Sequence, residues 1–81
     1  MRQTEFDAER PRLIAIAVRI LGSDADADDV LQDAWLRLAH ADPVDDLPAW
    51  LTTVVTRLCL DQLRKRNNRS DFESLAPEPP R

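Results

Sequence analysis

The sequence predicts an all-α domain, a compact bundle of three helices. Of its 81 residues, 43% are hydrophobic and 32% are charged, a balance typical of an ordered globular chain. There is one glycine and no tyrosine, and the apolar residues recur at helical spacing rather than in alternation. Residues 1–69 are expected to form this domain, and residues 70–81, with three prolines, a linker or disordered tail.

The first helix is predicted from about Glu5 to Leu21, because apolar residues recur along it and Gly22 is a suitable C-terminal stop. Pro11 disturbs this pattern, since a proline inside a helix lacks a backbone N–H and clashes with the preceding turn. Two alternatives remain open. The helix begins at Pro11, or a short N-terminal turn precedes a kink and counts as a fourth helix.

The second helix is predicted to begin in the segment SDADADD, where Ser23 or Asp24 can cap free backbone N–H groups. It is expected to end near His40, and the segment ADPVDDLP with its two prolines reads as a loop. A third helix should start within residues 46–48 and run to roughly Asn67.

The second helix separates into an apolar and a polar face when residues are spaced about 100° apart. Its polar face gathers four residues at i, i+3, i+4 and i+7: Asp29, Gln32, Asp33 and Leu36. Two interpretations stay open for this face. It is an ordinary solvated surface with one exposed leucine, or it is a docking stripe whose acids meet Arg or Lys of a partner helix.

The third helix ends in a basic segment, RKRNNR, although the whole chain has a net charge of −4. Residues 47–70 contain five bases and one acid, whereas residues 1–46 contain eleven acids and five bases. These bases could neutralise phosphates or simply complement the helix dipole.

A rough stripe of the third helix leads into this basic segment: Thr53, Arg57, Leu60 and Arg64. Trp50 is expected to pack beside the core or to stack on an unpaired base.

Several classes of protein are not supported by the sequence. Cys59 is the only cysteine, which excludes an intrachain disulfide and fits a reducing cytoplasm. No phosphate-binding loop, nucleophile motif or metal-ligand pattern occurs, so no enzyme, cofactor or metal is predicted. The chain has neither a signal peptide nor an apolar run long enough for a membrane span. We expect a soluble cytoplasmic protein without a membrane partner.

The chain contains the segment GSDADADDVLQDAWLRL, the short loop after it, and the segment PAWLTTVVTRLCLDQLRKR. Through these segments it resembles region 2 of bacterial RNA polymerase sigma factors, in the extracytoplasmic-function (ECF) group. The resemblance covers residues 5–69 and implies a sigma region 2 bundle that acts in transcription initiation. It implies that the second helix docks on the clamp helices of the polymerase β′ subunit through Asp29, Gln32, Asp33 and Leu36.

The resemblance also implies that the third helix and the preceding loop recognise and melt the minus-ten promoter element by binding its non-template strand. The residues it assigns to DNA are Trp50, Thr53, Arg57, Arg64, Lys65, Arg66 and Arg69. Two features depart from the family pattern: many members have asparagine at the position of Arg57, and the loop carries Asp42, Asp45 and Asp46. A protein-only module that binds polymerase or an anti-sigma factor without contacting DNA is therefore the alternative. The chain stops before the family's second domain, which reads the minus-thirty-five element, and we expect an isolated domain.

Overall fold

The computed structural model describes the backbone of residues 2–75 and the side chains of residues 2–67. Within this part of the chain the fold is all-α, as the sequence predicts. The three helices are α1 (Arg2–Leu21), α2 (Asp24–Ala39) and α3 (Leu47–Leu75). Each helix packs on both of the others, so one core lies between them.

Helix α1 is a single element with Pro11 inside it. The alternative in which the helix begins at Pro11 is wrong, because α1 already starts at Arg2. A proline in a helix interior costs about 3 kcal/mol. Burial of Phe6 offsets part of that cost: its ring is 4% exposed and lies 5.5 Å from the ring of Trp35 on α2.

The junction of α1 and α2 follows local sequence signals. Gly22 has a φ of 72°, a left-handed conformation that glycine adopts without steric cost, and its N–H donates to Val18 O at 2.7 Å. Ser23 is the N-cap of α2, and its Oγ accepts from the Asp26 N–H at 3.2 Å. The predicted start of α2 is therefore confirmed.

The loop between α2 and α3 is bounded by two further caps. His40 closes α2, with its Nδ1 2.9 Å from Leu36 O, as expected for a residue that complements a helix C-terminus. At the other end Asp46 caps α3, because its Oδ1 accepts from the Ala49 N–H at 3.2 Å and its carbonyl accepts from the Trp50 N–H at 2.9 Å. Helix α3 begins inside the predicted window but continues past Asn67 to Leu75.

Among residues 2–67, twelve hydrophobic residues form the buried core, and every helix contributes to it. The six largest of the fully enclosed side chains are Leu13, Leu31, Leu38, Leu51, Val55 and Cys59. Burial raises the pKa of the Cys59 thiol, and the buried side chain packs as a small hydrophobic residue. None of the helices, over the residues described, has the length and apolar character that crossing a membrane requires.

Candidate functional site

One face of α2 presents the four residues predicted to form the docking stripe. Asp29, Gln32 and Asp33 are exposed, and the side chain of Leu36 is 50% exposed. The opposite face of α2 is buried in the core through Ala27, Val30, Leu31, Ala34 and Leu38. The prediction that Leu36 lies at the surface is confirmed. We call Asp29, Gln32, Asp33 and Leu36 the α2 stripe.

A groove of about 450 Å³ runs along one side of the α2 stripe, between α2 and α3. Its lining combines a small apolar floor with charged walls: Asp29, Val30, Asp33, Arg37, Leu58, Asp61, Gln62 and Lys65. Two charged side chains of this lining form only a weak ion pair. Arg37 Nε lies 3.9 Å from Asp33 Oδ1, and both side chains are more than half exposed. Water and salt screen such a pair, so these charges remain available to a partner.

A second, smaller groove of about 210 Å³ lies on the other side of the α2 stripe, between α1 and α2. Gln32 lines it together with Trp35, Phe6 and residues of α1. Arg10 of α1 crosses this groove and its Nη2 lies 3.3 Å from Asp28 Oδ1. The α2 stripe therefore forms a ridge between two grooves, a shape that suits contact with a long helix.

Helix α3 carries a similar ridge with the opposite sign of charge. Thr53, Arg57, Leu60 and Arg64 are all exposed, and Leu60 is 49% exposed. This face points away from the buried residues Leu51, Val55 and Cys59, as the helical spacing predicts. Among residues 2–67, Arg64 has a loose partner in Asp61, with its Nη1 3.6 Å from Asp61 Oδ1. We call Thr53, Arg57, Leu60 and Arg64 the α3 stripe.

Two of the other bases predicted to bind DNA, Lys65 and Arg66, do not join the α3 stripe. Lys65 lines the groove between α2 and α3, close to the acids of the α2 stripe. Arg66 forms an ion pair with the first turn of α2, with its Nη2 2.7 Å from Asp26 Oδ2. The side chain of Arg69 lies outside the described residues. The structure thus separates a sequential run of bases into groups that face different neighbours.

Two acids that the sequence did not single out border these surfaces. Asp61 lies in the groove beside the α2 stripe, and Asp26 holds Arg66. Helical spacing could have placed Asp61 on the same side of α3 as Lys65, because the two residues are four apart. The pair between Asp26 and Arg66 joins residues 40 positions apart, and no local pattern predicts it.

The loop before α3 contains three acids with different surroundings. Asp46 is used as a cap, whereas Asp45 lines a cavity of about 420 Å³ with Glu5 and Glu9 of α1. Asp42 is exposed. Trp50 follows in the first turn of α3 and is half-buried against the core, which favours the packing interpretation for most of its ring. Across the described residues, no three His, Cys, Asp or Glu side chains lie close enough to bind a metal ion.

Comparison with known proteins gives consistent matches along most of the chain. A family model described as Sigma-70 region 2 matches residues 6–69. The chain is 49% identical over 72 residues to the ECF RNA polymerase sigma factor SigJ of Mycobacterium tuberculosis, an alignment that covers 88% of this chain and 23% of that protein. No solved structure gives a significant match.

Two further relatives carry similar names. The chain is 36% identical over 66 residues to the probable ECF RNA polymerase sigma factor SigI of Mycobacterium tuberculosis, covering 79% of this chain and 23% of that protein. It is 42% identical over 60 residues to the ECF RNA polymerase sigma factor EcfG of Rhodopseudomonas palustris, covering 69% of this chain and 33% of that protein. The chain therefore spans a third or less of the length of these relatives.

Proposed function

The chain belongs to the sigma-70 region 2 family, as the region 2 domain of an ECF sigma factor, and we propose that it binds RNA polymerase through α2 and promoter DNA through α3. Both are binding functions of a transcription initiation factor and need no catalysis by this chain. The proposal rests on one arrangement above all: two exposed stripes, one acidic and one basic, on different helices of a single rigid core. Such an activity belongs in the cytoplasm, where the polymerase acts.

The α2 stripe is assigned to the β′ clamp helices. Its acids offer oxygen acceptors to Arg or Lys, Gln32 offers both donor and acceptor groups, and Leu36 supplies an apolar contact. Because the stripe is a ridge between two grooves, side chains of a partner helix can enter on either side of it. The acids Asp26 and Asp28 are already paired with arginines of this chain, whereas Asp29 lines the groove and forms no ion pair with another described residue.

Pull-down with the isolated β′ clamp helices tests this assignment. A variant with Asp29, Gln32 and Asp33 all changed to Ala should lose most of its binding, since three polar contacts disappear together. A matched variant with Asp24 and Asp28 changed to Ala removes acids from the same helix but outside the stripe, and should bind nearly as well as the parent chain. Undiminished binding by the triple variant would refute the docking assignment.

The α3 stripe is assigned to the non-template strand of the minus-ten element. Arg57 and Arg64 lie on the exposed side with Thr53, where guanidinium and hydroxyl groups can donate to phosphate oxygens or base edges. Lys65, Arg66 and Arg69 are proposed to add phosphate contacts. For Arg66 this requires exchange of Asp26 for a phosphate, because the two side chains are 2.7 Å apart in the free chain.

The alternative function is a protein-only module that binds polymerase or an anti-sigma factor without touching DNA. The acidic loop, with Asp42 and Asp45 ahead of α3, and the net charge of −4 favour it. Fluorescence anisotropy with a labelled single-stranded oligonucleotide of randomised sequence separates the two proposals. Affinity that falls steeply with salt supports the DNA assignment, and clamp binding without measurable DNA affinity supports the alternative.

A further inference from the structure

Helix α1 contacts the loop before α3 along one of its own faces. Glu5, Ala8 and Glu9 line the cavity of about 420 Å³ whose other wall is the loop and the start of α3, with Val44, Asp45, Leu47 and Pro48. Arg12 stands three residues after Glu9 and extends the same face by one turn. One face of α1 therefore supports the segment that leads into α3.

Arg12 makes the polar connection between these elements. Its Nη1 donates to Thr52 Oγ1 at 2.8 Å, and its Nη2 donates to Pro48 O at 3.3 Å. On its own helix, Glu9 Oε1 accepts from Arg12 Nη2 at 2.6 Å and from Arg12 Nε at 3.1 Å. A planar guanidinium presents several fixed N–H donors at once, so one side chain joins α1 to two points on α3.

The two acceptors lie in the first turns of α3. Pro48 O also accepts from Thr52 Oγ1 at 2.8 Å, so Arg12, Thr52 and the Pro48 carbonyl form one closed set of hydrogen bonds. Just ahead of this set, Asp46 caps the same turn through Ala49. The start of α3 is held from within by its cap and from outside by α1.

We propose that Arg12, oriented by Glu9, is a positioning residue for DNA-strand binding. It fixes the end of the loop and the first turns of α3, and hence the placement of Trp50 and Thr53, relative to the rest of the bundle. This inference rests on the proposed DNA function of α3. Arg12 itself acts through Thr52 and Pro48 and neutralises no phosphate.

The surroundings of Arg12 make this role separable from fold stability. The side chains of Arg12 and Glu9 are 43% and 25% exposed, and ion pairs in contact with solvent add little to stability. The core beneath them is supplied by other residues, among them Leu13 and Leu51, which are fully buried. Loss of Arg12 should therefore loosen the junction while the helices stay folded.

Hydrogen exchange in the full chain tests the positioning directly, without DNA. In an Arg12→Gln variant, the hydrogen-bonded amides within residues 44–52, those of Ala49 and Trp50 among them, should exchange roughly threefold faster or more. Arg10→Gln is the matched control. It removes an arginine of the same helix that reaches Asp28 on α2 instead of α3, so it should leave these amides unchanged.

Anisotropy with the randomised single-stranded oligonucleotide then tests the consequence. Arg12→Gln should weaken binding about three- to tenfold, the range expected for one or two lost hydrogen bonds, with the same salt dependence as the parent chain. Thr52→Val, which removes an acceptor and no charge, should weaken binding in the same direction, and the two effects should not add. Arg12→Lys should not restore full binding, because an ammonium cannot serve three separated acceptors in a fixed plane.

Three outcomes overturn the inference. Exchange at residues 44–52 that is unchanged in Arg12→Gln would show that Arg12 does not position the junction. A salt slope lowered by about 0.7 would make Arg12 a phosphate ligand instead. Full binding by the Arg12→Gln variant would show that the junction is irrelevant to DNA. Failure of the parent chain to bind DNA contradicts the proposed function, and the exchange result still decides whether Arg12 holds the start of α3.

Discussion

The α2 stripe and the α3 stripe are built alike and differ in charge. Each is an exposed row of polar residues around one leucine, and the two leucines are almost equally exposed, Leu36 at 50% and Leu60 at 49%. The α2 stripe carries Asp29 and Asp33, whereas the α3 stripe carries Arg57 and Arg64. An amphipathic helix of this kind can present a surface to a partner and still bury its apolar face, and in the proposed function the sign of the charge selects the partner.

The two stripes are similar in how little of their charge the chain itself neutralises, and the basic end of α3 differs from both. Arg64 has Asp61 within 3.6 Å, and Arg66 at the basic end of α3 is held by Asp26. Within the α2 stripe, Asp33 is paired about as loosely with Arg37, at 3.9 Å. In the proposed function, the charges of both stripes are therefore largely available to their partners, while a phosphate contact through Arg66 must compete with Asp26 of the same chain.

Reversing the charge of the α2 stripe should have the largest effect. Asp29→Lys combined with Asp33→Lys places cations where basic residues of the clamp helices are expected, and like charges across an interface cost several kcal/mol. Clamp binding should fall more than about 100-fold in a pull-down or titration. Binding of single-stranded DNA should not fall in the same variant, because α3 is untouched.

Removing charge from the α3 stripe should have the next largest effect. Arg57→Ala combined with Arg64→Ala should lower affinity for single-stranded DNA about tenfold and reduce the salt slope by roughly 1.4, if each arginine neutralises one phosphate. Arg19→Ala is the control, since Arg19 is an exposed base in the last turn of α1. A salt slope equal to that of the parent chain would refute these contacts.

The two exposed leucines should each matter to one partner and not to folding. Leu36→Ala should weaken clamp binding a few-fold, and Leu60→Ala should weaken DNA binding to a similar extent. About half of each leucine is exposed, so each substitution removes the apolar surface that this half offers to a partner. Neither should shift the thermal midpoint much. The contrast is Leu38→Ala, a fully buried site, which should cost about 2–5 kcal/mol of unfolding free energy. A comparable stability loss for Leu36→Ala would assign that residue to the core.

Freeing Arg66 should have the smallest effect. Asp26→Asn removes the carboxylate 2.7 Å from Arg66 Nη2, so the guanidinium becomes available to phosphate. DNA affinity should rise about twofold, and stability should fall by less than about 1 kcal/mol, as for other solvent-exposed ion pairs. A fall in DNA affinity would show instead that the pair orients Arg66 for its DNA contact.

Features set by local sequence could be predicted well. Four such features depend on residues within a few positions of each other. They are the N-cap at Ser23, the end of α1 before Gly22, the exposure of Leu36 and the buried face of α2. The same reasoning found the α3 stripe from its helical spacing. Local signals are sufficient at these places because tertiary contacts reinforce them.

Features set by distant contacts could not be predicted. The start of α1 at Arg2 depends on Phe6 packing against Trp35, which compensates for Pro11. The neighbours of Lys65 and Arg66 depend on which part of α2 lies beside this part of α3. A run of four residues such as RKRN covers a whole turn, so its members necessarily face different neighbours.

The central claim is that one small core carries two independent binding surfaces of opposite charge. A cross-titration tests it most directly. The first variant has Asp29, Gln32 and Asp33 changed to Ala, and the second has Arg57 and Arg64 changed to Ala. The affinity of each variant is measured for the clamp helices and for single-stranded DNA. We predict that the first variant loses affinity for the clamp helices and retains its affinity for DNA. The second variant should lose affinity for DNA and retain its affinity for the clamp helices. Equal losses for both partners in either variant would contradict the claim.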